Sequence, residues 1–253
     1  MLATMQDFSL LNQTTNTMQN NPIKQLLLDE QEERKTTQKD LNDSCSLKKY
    51  EAILKNSFIT YASQNIGRAY EIDLANKAAI NSIFSCLVLK DDESIGFDSL
   101  NRKITLKKGF FIFGDLGCGK STLMRLLSEF KKINNDSTYK FLTASEICQS
   151  YKQLGSIDKF TFNEDGVQGK PATYCIDELG RETKVVDNYG TKLDVISQVL
   201  QDRYVLWQSK GVITHLITNL DFEELGNRYG EFIKERIIEM CNVIEFKGES
   251  KRF

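Results

Sequence analysis

A glycine-rich octapeptide, GDLGCGKS at residues 114–121, fits the pattern G-x-x-x-x-G-K-[ST] at each of its fixed positions. The preceding residues, 109–113, read GFFIF and are typical of a buried strand. The following residues place apolar side chains at helical spacing, namely Leu123, Leu126, Leu127 and Phe130. The sequence therefore predicts a strand, a glycine loop and a helix, which is the context in which this pattern holds the phosphates of a nucleotide.

This loop predicts a site for ATP and Mg²⁺ in which the backbone and the helix N-terminus surround the phosphates. Lys120 is expected to reach the β- and γ-phosphates, and Ser121 is expected to ligate Mg²⁺. The predicted nucleotide-binding residues are Gly114, Asp115, Leu116, Gly117, Cys118, Gly119, Lys120, Ser121 and Thr122.

Two further apolar runs are each followed by polar residues of the kind that nucleotide hydrolysis requires. Residues 172–176 form an apolar strand followed by Asp177, which we expect to hold Mg²⁺, and by Glu178, which we expect to deprotonate the attacking water. Residues 212–217 are followed by Thr218 and Asn219. Asn219 is predicted to touch the γ-phosphate or the water, or to cap the next helix.

Two arginines follow in a helical region near the end of the sequence. Arg228 lies in NRYG and Arg236 lies in KERI. An arginine can stabilise the charge on a transferred phosphoryl group, either in its own subunit or from a neighbouring one. From spacing alone, each of them could equally belong to a surface salt bridge.

The composition of the chain limits the kinds of binding partner and the cellular environment that we expect. With a formal net charge of −2 over 253 residues, nucleic-acid binding would have to rely on local patches such as the lysine pairs at 107–108 and 131–132. The six cysteines are widely spaced and form no C-x-x-C, which favours a reducing cytoplasm over a zinc site. No apolar run approaches the roughly 20 residues that span a bilayer, so no membrane association is expected. His215 lies in an apolar run and is interpreted as structural.

The chain is predicted to have two parts. Residues 1–60 are polar and lack glycine, and they are interpreted as a partly helical or disordered region that binds a partner. Within them, a helix is predicted at 23–35, whose charged run at 29–35 is a solvated face or a docking segment. Residues 61–253 form the nucleotide-binding domain, in which Asp73 is predicted to cap a helix that includes Leu74. Alternating strands and helices imply a parallel sheet covered on both faces.

Taken in order, these motifs resemble the AAA+ ATPases of the DnaC/IstB type, the bacterial replicative-helicase loaders and transposition helper ATPases. The resemblance extends from about residue 65 to the end of the sequence. It is carried by GDLGCGKS, CIDELG at 175–180, YG at 189–190, QDRY at 201–204, ITNL at 217–220, RYGEFIKERI at 228–237 and VIEFKGESKR at 243–252.

The resemblance implies an α/β P-loop AAA+ core with a five-stranded parallel sheet of order 5-1-4-3-2, and ATP hydrolysis at subunit interfaces of a homo-oligomer. By position, Asn219 looks like the sensor-1 residue and Arg236 like the arginine finger that acts on ATP in the adjacent protomer. Arg228 is expected to support that interface, and Arg252 resembles a sensor-2-like arginine that contacts nucleotide. A C-terminal helical lid is expected to be absent, as in this family.

The resulting functional prediction is an ATPase that acts in DNA replication as a helicase loader-like factor on single- or double-stranded DNA. One alternative is a transposition helper that assembles on DNA and recruits a transposase. A second is a nucleotide-switched interaction module with little turnover, although Asp177, Glu178, Asn219 and Arg236 argue against it. A small-molecule kinase is disfavoured because no acceptor site is recognisable.

Overall fold

The computed structural model describes residues 44–88, 96–134, 136, 138–162 and 171–251. The predicted helix at 23–35 and the predicted nucleotide contact of Arg252 lie outside these residues. The described chain falls into two compact units, one formed by residues up to 70 together with 130–136, and the other by residues 71–129 and 137 onward.

The helices and strands alternate along most of the chain. The helices are α1 (Ser44–Ile66), α2 (Lys77–Leu87), α3 (Lys120–Ile133), α4 (Ala144–Leu154), α5 (Asp158–Thr161), α6 (Val195–Lys210), α7 (Phe222–Tyr229) and α8 (Glu231–Met240). The strands are β1 (Gly109–Phe113), β2 (Lys140–Thr143), β3 (Tyr174–Leu179), β4 (Val186–Asn188), β5 (Thr191–Leu193), β6 (Thr214–Thr218) and β7 (Cys241–Glu245).

Five parallel strands form the central sheet in the order β2-β3-β6-β1-β7. Numbered by their sequence order and read from the other edge, these strands have the order 5-1-4-3-2, so the predicted sheet is confirmed. The remaining strands, β4 and β5, form a separate antiparallel hairpin. The expected absence of a helical lid stays a prediction.

The strands are short apolar runs because both faces of the sheet are covered. On one face, Phe111, Ile176 and Leu216 join a core to which α4, α6, α7 and α8 contribute. On the other face, His215 packs against Phe110 and Tyr139, whose hydroxyl donates to a backbone carbonyl of α3. His215 also accepts a hydrogen bond from the Phe110 N–H at 3.1 Å, which is a structural contact within the sheet.

Side chains at the helix ends explain where several helices begin. Thr143 and Glu146 form a capping box at the start of α4, and Asp221 and Glu224 form another at the start of α7. The helix predicted from Asp73 begins only at Lys77, because Asp73 accepts hydrogen bonds from backbone N–H groups in a turn before it. Leu74 therefore lies outside the helix and is 92% exposed.

Arg203, from the QDRY motif, is a fully buried structural residue of α6. Its guanidinium donates to Thr214 Oγ1 at 2.8 Å and to the backbone carbonyls of Ala172 and Ile213 at 2.9 Å each. These acceptors lie at the amino ends of β3 and β6, the opposite ends from the glycine loop. Burial lowers the pKa of Arg203 to about 10. The QDRY motif therefore contributes to packing at the amino-terminal edge of the sheet, away from the glycine loop.

In the other unit, aromatic residues of α1 pack against the chain that follows. Phe58 is completely buried and meets the rings of Tyr70 and Phe130, with centroids 5.6 Å apart in both pairs. Helix α1 passes through residue 60, the predicted boundary between the two parts of the chain. The functional division at residue 60 stays a prediction. Among the helices in the described ranges, none is long and apolar enough to cross a bilayer.

Candidate nucleotide-binding site

The predicted site residues follow strands that are neighbours in the sheet. The glycine loop follows β1, the Asp177–Glu178 pair lies near the end of β3, and Asn219 follows β6, which pairs with both of those strands. Because parallel strands end at the same edge of a sheet, the three segments meet there. This edge is where open α/β sheets bind their ligands.

The Lys120 ammonium group lies at the centre of this edge, and the side chain of the residue is largely buried. Its Nζ donates hydrogen bonds to the backbone carbonyls of Gly114 and Asp115 at 2.7 Å and to Asn219 Oδ1 at 2.8 Å. Asn219 therefore faces the loop lysine, whereas the N-cap of α7 is Asp221, whose side chain accepts from the Glu224 N–H. The structure brings together the loop lysine and the polar residue at the end of β6.

Ser121 and Asp177 are neighbours at the same edge. The Asp177 carboxylate accepts from the Glu178 N–H at 2.8 Å, and the neighbouring Ser121 hydroxyl lowers the pKa of this carboxylate. Asp177 is 4% exposed. A hydroxyl and a carboxylate are oxygen ligands of the type that Mg²⁺ prefers, so this pair fits the predicted metal-binding role.

The two buried charges are unfavourable in the protein alone. Burial lowers the pKa of Lys120, although the neighbouring Cys118 and Asp177 oppose this shift. Burial raises the pKa of Asp177, and the hydrogen bond from Ser121 partly offsets that effect. Both groups would gain from ligands of opposite charge, which is the electrostatic pattern of a site for an anion and a metal cation.

Glu178 differs from its neighbours in exposure and backbone conformation. Its carboxylate pairs with the Arg181 guanidinium at 3.0 Å, and its side chain is 41% exposed. The residue has φ +58°, in the left-handed region that residues with a Cβ rarely adopt. Glu178 thus lies beside Asp177 at the edge of the site, where water can reach its carboxylate.

Residues 246–251, here called the C-terminal strap, lie directly against the glycine loop. The Lys251 N–H donates to the Gly117 carbonyl at 3.0 Å, and the Cys118 thiol contacts the Phe246 carbonyl at 3.4 Å. Gly117 has φ +85°, and a Cβ there would lie 2.5 Å from Ser250 Oγ. The motif leaves position 117 open, but the strap and the backbone conformation both require glycine.

The two candidate arginines do not meet the glycine loop of their own chain through any contact of the described residues. Arg228 forms ion pairs with Glu182 and, at 3.5 Å, with Asp194. The Arg236 guanidinium lies over the rings of Phe232 at 3.7 Å and Tyr204 at 4.7 Å. Arg228 is therefore held within the chain, while Arg236 lies on α8 beside Phe232, which is 58% exposed.

Several residues at this edge were not found by sequence reasoning. The partner of Glu178, Arg181, lies within a polar stretch that has no periodicity. The strap carried a family signal, VIEFKGESKR, but that signal did not reveal its contact with Gly117. Gly180 belongs to the CIDELG motif, and its φ of +92° places it in a turn that the motif alone does not indicate.

Comparisons with known proteins give distant similarities. No family model matches the chain, and no curated protein matches it. Similar solved structures include the DnaC helicase loader, with 18% identity, a TM-score of 0.48 and coverage of 70% of this chain and 93% of that one. DnaI is another, with 20% identity, a TM-score of 0.46 and coverage of 72% of this chain and 88% of that one. AMPPCP-bound DnaA from Aquifex aeolicus has 16% identity, a TM-score of 0.46 and coverage of 72% of this chain and 50% of that one.

Proposed function

We propose that this protein binds ATP with Mg²⁺, hydrolyses the ATP, and acts in DNA replication as a helicase loader-like AAA+ factor. The observation that carries the ATPase part is the hydrogen bond from Lys120 to Asn219, beside which the buried Asp177 carboxylate has Ser121 as a neighbour. These residues come from three separate segments of the sequence, and each was predicted for a different part of the same chemistry. The five-stranded sheet of order 5-1-4-3-2 supports the AAA+ assignment.

Lys120 is the residue that binds the phosphates in this proposal. Its three hydrogen-bond donors are directed at two carbonyls and Asn219 in the protein alone, so phosphate oxygens would replace some of these acceptors. Asn219 would then be released toward the γ-phosphate or the attacking water. The lysine–asparagine contact gives a physical route by which the end of β6 responds to nucleotide.

Ser121 and Asp177 are the residues that would hold Mg²⁺. When bound, the metal ion would act as a Lewis acid that neutralises charge on the β- and γ-phosphates. Glu178 would orient and deprotonate the attacking water, for which its exposed carboxylate and its position next to Asp177 are suitable.

The replication role, the partners and the location rest on the motif resemblance. We propose an ATP-dependent homo-oligomer in which Arg236 acts on ATP of a neighbouring subunit, a replicative helicase as partner, and a cytoplasmic location. DNA contact is also part of the proposal. The lysines at 107–108 and 131–132 are its candidates, and Lys131 lies 3.9 Å from Asp136 in an ion pair.

The ATPase proposal is tested by two substitutions with separate readouts. Lys120→Ala should abolish binding of a fluorescent ATP analogue because the buried cation is lost, whereas Lys152→Ala, at an exposed position on α4, should bind normally. Glu178→Gln should bind the analogue but lose about 10²–10⁴-fold in turnover with or without DNA, because the amide lacks a basic oxygen. Analogue binding by Lys120→Ala at wild-type affinity would show that the site assignment is wrong.

The partner is tested by pull-down from the source cells with the tagged Glu178→Gln protein and ATP. Slow hydrolysis should keep the assembled state long enough to recover a hexameric helicase. Lys120→Ala serves as the control, because it should recover neither ATP nor the partner. Recovery of a transposase in place of a helicase would support the transposition-helper alternative and contradict the replication role.

A further inference from the structure

The turn formed by residues 178–181 holds Glu178 in an unfavourable backbone conformation. The Glu178 carbonyl accepts from the Arg181 N–H at 3.2 Å, and Gly180 within the turn has φ +92°. The pairing of β3 with β6 shifts its register between Ile176 and Leu179, where the chain leaves the regular strand. A left-handed glutamate persists only where the surrounding structure holds it, so the contacts of this turn are informative.

A buried carboxylate, Glu182, holds this turn from behind. Its Oε2 accepts from the Gly180 N–H at 2.8 Å, and its Oε1 accepts from the Tyr229 hydroxyl at 2.8 Å. The Tyr229 hydroxyl in turn accepts from the same Gly180 N–H at 2.8 Å. The Arg228 guanidinium pairs with Oε1, and the Glu182 side chain is 0% exposed. Each carboxylate oxygen therefore has a fixed partner.

The close packing of Gly180 adds a steric constraint to these hydrogen bonds. A Cβ on Gly180 would lie 2.4 Å from Leu220 Cδ1, and the Leu179 carbonyl accepts from Thr218 Oγ1 at 2.8 Å. Thr218 and Leu220 flank Asn219 in the sequence. The turn that carries Glu178 is thus packed against the segment that carries Asn219.

The same carboxylate connects the turn with α7. Arg228 and Tyr229 are the last two residues of α7, whose N-cap, Asp221, lies two residues after Asn219. Burial, and then the charge of Glu182, raise the pKa of Tyr229, so its hydroxyl remains a donor across the neutral range. The turn and the segment that follows Asn219 are therefore connected through α7 and Glu182.

We infer that Glu182 is a positioning residue for hydrolysis: it fixes the turn so that the Glu178 carboxylate is held where it can activate water. This inference deepens the proposed function and rests on it. The Glu182 side chain is buried, and its carboxylate is occupied by Gly180, Tyr229 and Arg228. Its effect on turnover has to pass through Glu178.

Glu182→Gln tests this role with little change of shape. The amide must direct an N–H group at Gly180, Tyr229 or Arg228, all of which are donors to the native carboxylate, so at least one contact is lost. We expect turnover to fall about 10–100-fold, because small displacements of a catalytic group reduce rates to this extent. The affinity for the ATP analogue and the KM for ATP should stay within about twofold of wild type.

Glu146→Gln is the matched control. The Glu146 carboxylate also accepts from a backbone N–H near the end of a strand, that of Thr143, the last residue of β2, but it supports no proposed site residue. Its turnover should remain at the wild-type level. Tyr229→Phe is a second variant that removes the other acceptor of the Gly180 N–H, and it should lower turnover in the same way should Glu182→Gln fail to fold.

The deciding measurement combines Glu182→Gln with Glu178→Gln. If Glu182 acts only through Glu178, the double variant should hydrolyse ATP as slowly as Glu178→Gln alone and bind the analogue equally well. Weaker analogue binding, or a further loss of residual turnover, would overturn the positioning role in favour of a general structural one. If the wild-type protein is active and Glu182→Gln has the same turnover, the positioning role is also overturned. If the wild-type protein binds ATP but does not hydrolyse it, the proposed hydrolysis is overturned together with this inference.

Discussion

At the scale of single residues, the candidate site contains two charged groups, Lys120 and Asp177, whose burial is unfavourable in the protein alone. The pKa of Lys120 is lowered and that of Asp177 is raised, in both cases chiefly by burial. Hydrogen bonds from Ser121 and to Asn219 compensate only in part. Such opposed shifts in neighbouring groups are typical of functional sites, where stability is lost in favour of ligand binding.

Asp177→Asn should stabilise the nucleotide-free protein at neutral pH while it impairs Mg²⁺-dependent ATP binding. Because the folded pKa of Asp177 is raised above the unfolded value near 3.8, ionisation of this group opposes folding. That unfavourable contribution develops as the pH rises from about 3.8 through the folded pKa, and it is fully present at neutral pH. Asparagine avoids it and can still accept from the Glu178 N–H.

Thermal unfolding of the nucleotide-free proteins at pH 7 and at lower pH checks this expectation. The midpoint of Asp177→Asn should exceed that of wild type at pH 7, and the difference should shrink as the pH falls toward 3.8. Titration of Mg²⁺ with the ATP analogue should show weaker binding for the variant. A lower midpoint at neutral pH would contradict the assigned cost of the Asp177 charge.

At the scale of helices and strands, apolar runs in the sequence predicted where a strand or helix lies better than they predicted the residues at which it begins and ends. Strand β1 has the predicted bounds, because an apolar run between Lys108 and Gly114 marks it clearly. Strand β3 continues through Asp177 and Glu178 to Leu179, beyond the predicted end, because Asp177 pairs with Thr143 of β2 and Leu179 pairs with Thr218 of β6. The β4–β5 hairpin was missed because its strands are only three residues long and polar.

Arg203 provides a prediction about elements, because it ties α6 to the amino ends of β3 and β6. Arg203→Met should lower the free energy of unfolding by about 2–5 kcal/mol, since Thr214, Ala172 and Ile213 would lose a buried donor. Arg125→Met is the control, because Arg125 is exposed on α3 and its guanidinium lies over the Phe141 ring at 4.2 Å. The control should lose about 0.5–1 kcal/mol.

Denaturant unfolding of the two variants in the absence of nucleotide measures this difference. Equal midpoints for Arg203→Met and Arg125→Met would contradict the structural role given to the QDRY motif. Binding of the ATP analogue by folded Arg203→Met should be retained, because the arginine lies at the opposite ends of the strands from Lys120.

At the scale of the whole molecule, the sequence predicted the sheet order and the residues that meet at its carboxyl edge. Lys120, Ser121, Asp177 and Asn219 could be placed because each follows or begins an apolar element of defined direction. Glu182 and the strap could not, because their contacts are long-range and have no periodic signal. Apolar periodicity also does not predict partners or subunit contacts, since these depend on exposed surfaces that pack against other molecules.

The position of Arg236 leads to a prediction about the assembled protein. Its guanidinium stacks on Phe232 and Tyr204, and no contact of the described residues joins it to the glycine loop of its own chain. An arginine finger that this chain supplies to a neighbouring subunit would account for the missing contact with its own glycine loop, and it agrees with the resemblance of the sequence motif. Such an arginine contributes about 10³–10⁵-fold to turnover.

Arg236→Ala should therefore bind the ATP analogue normally but hydrolyse ATP at least about 10³-fold more slowly, with Arg236→Lys restoring little because it lacks the planar fork. Mixing Arg236→Ala with Lys120→Ala should restore part of the activity, because an intact glycine loop from the first variant can face an intact arginine from the second. Turnover is measured across mixing ratios while ATP-dependent cross-linking verifies that the two variants assemble together. If co-assembly is seen and the mixture stays as inactive as its components, Arg236 does not act in trans.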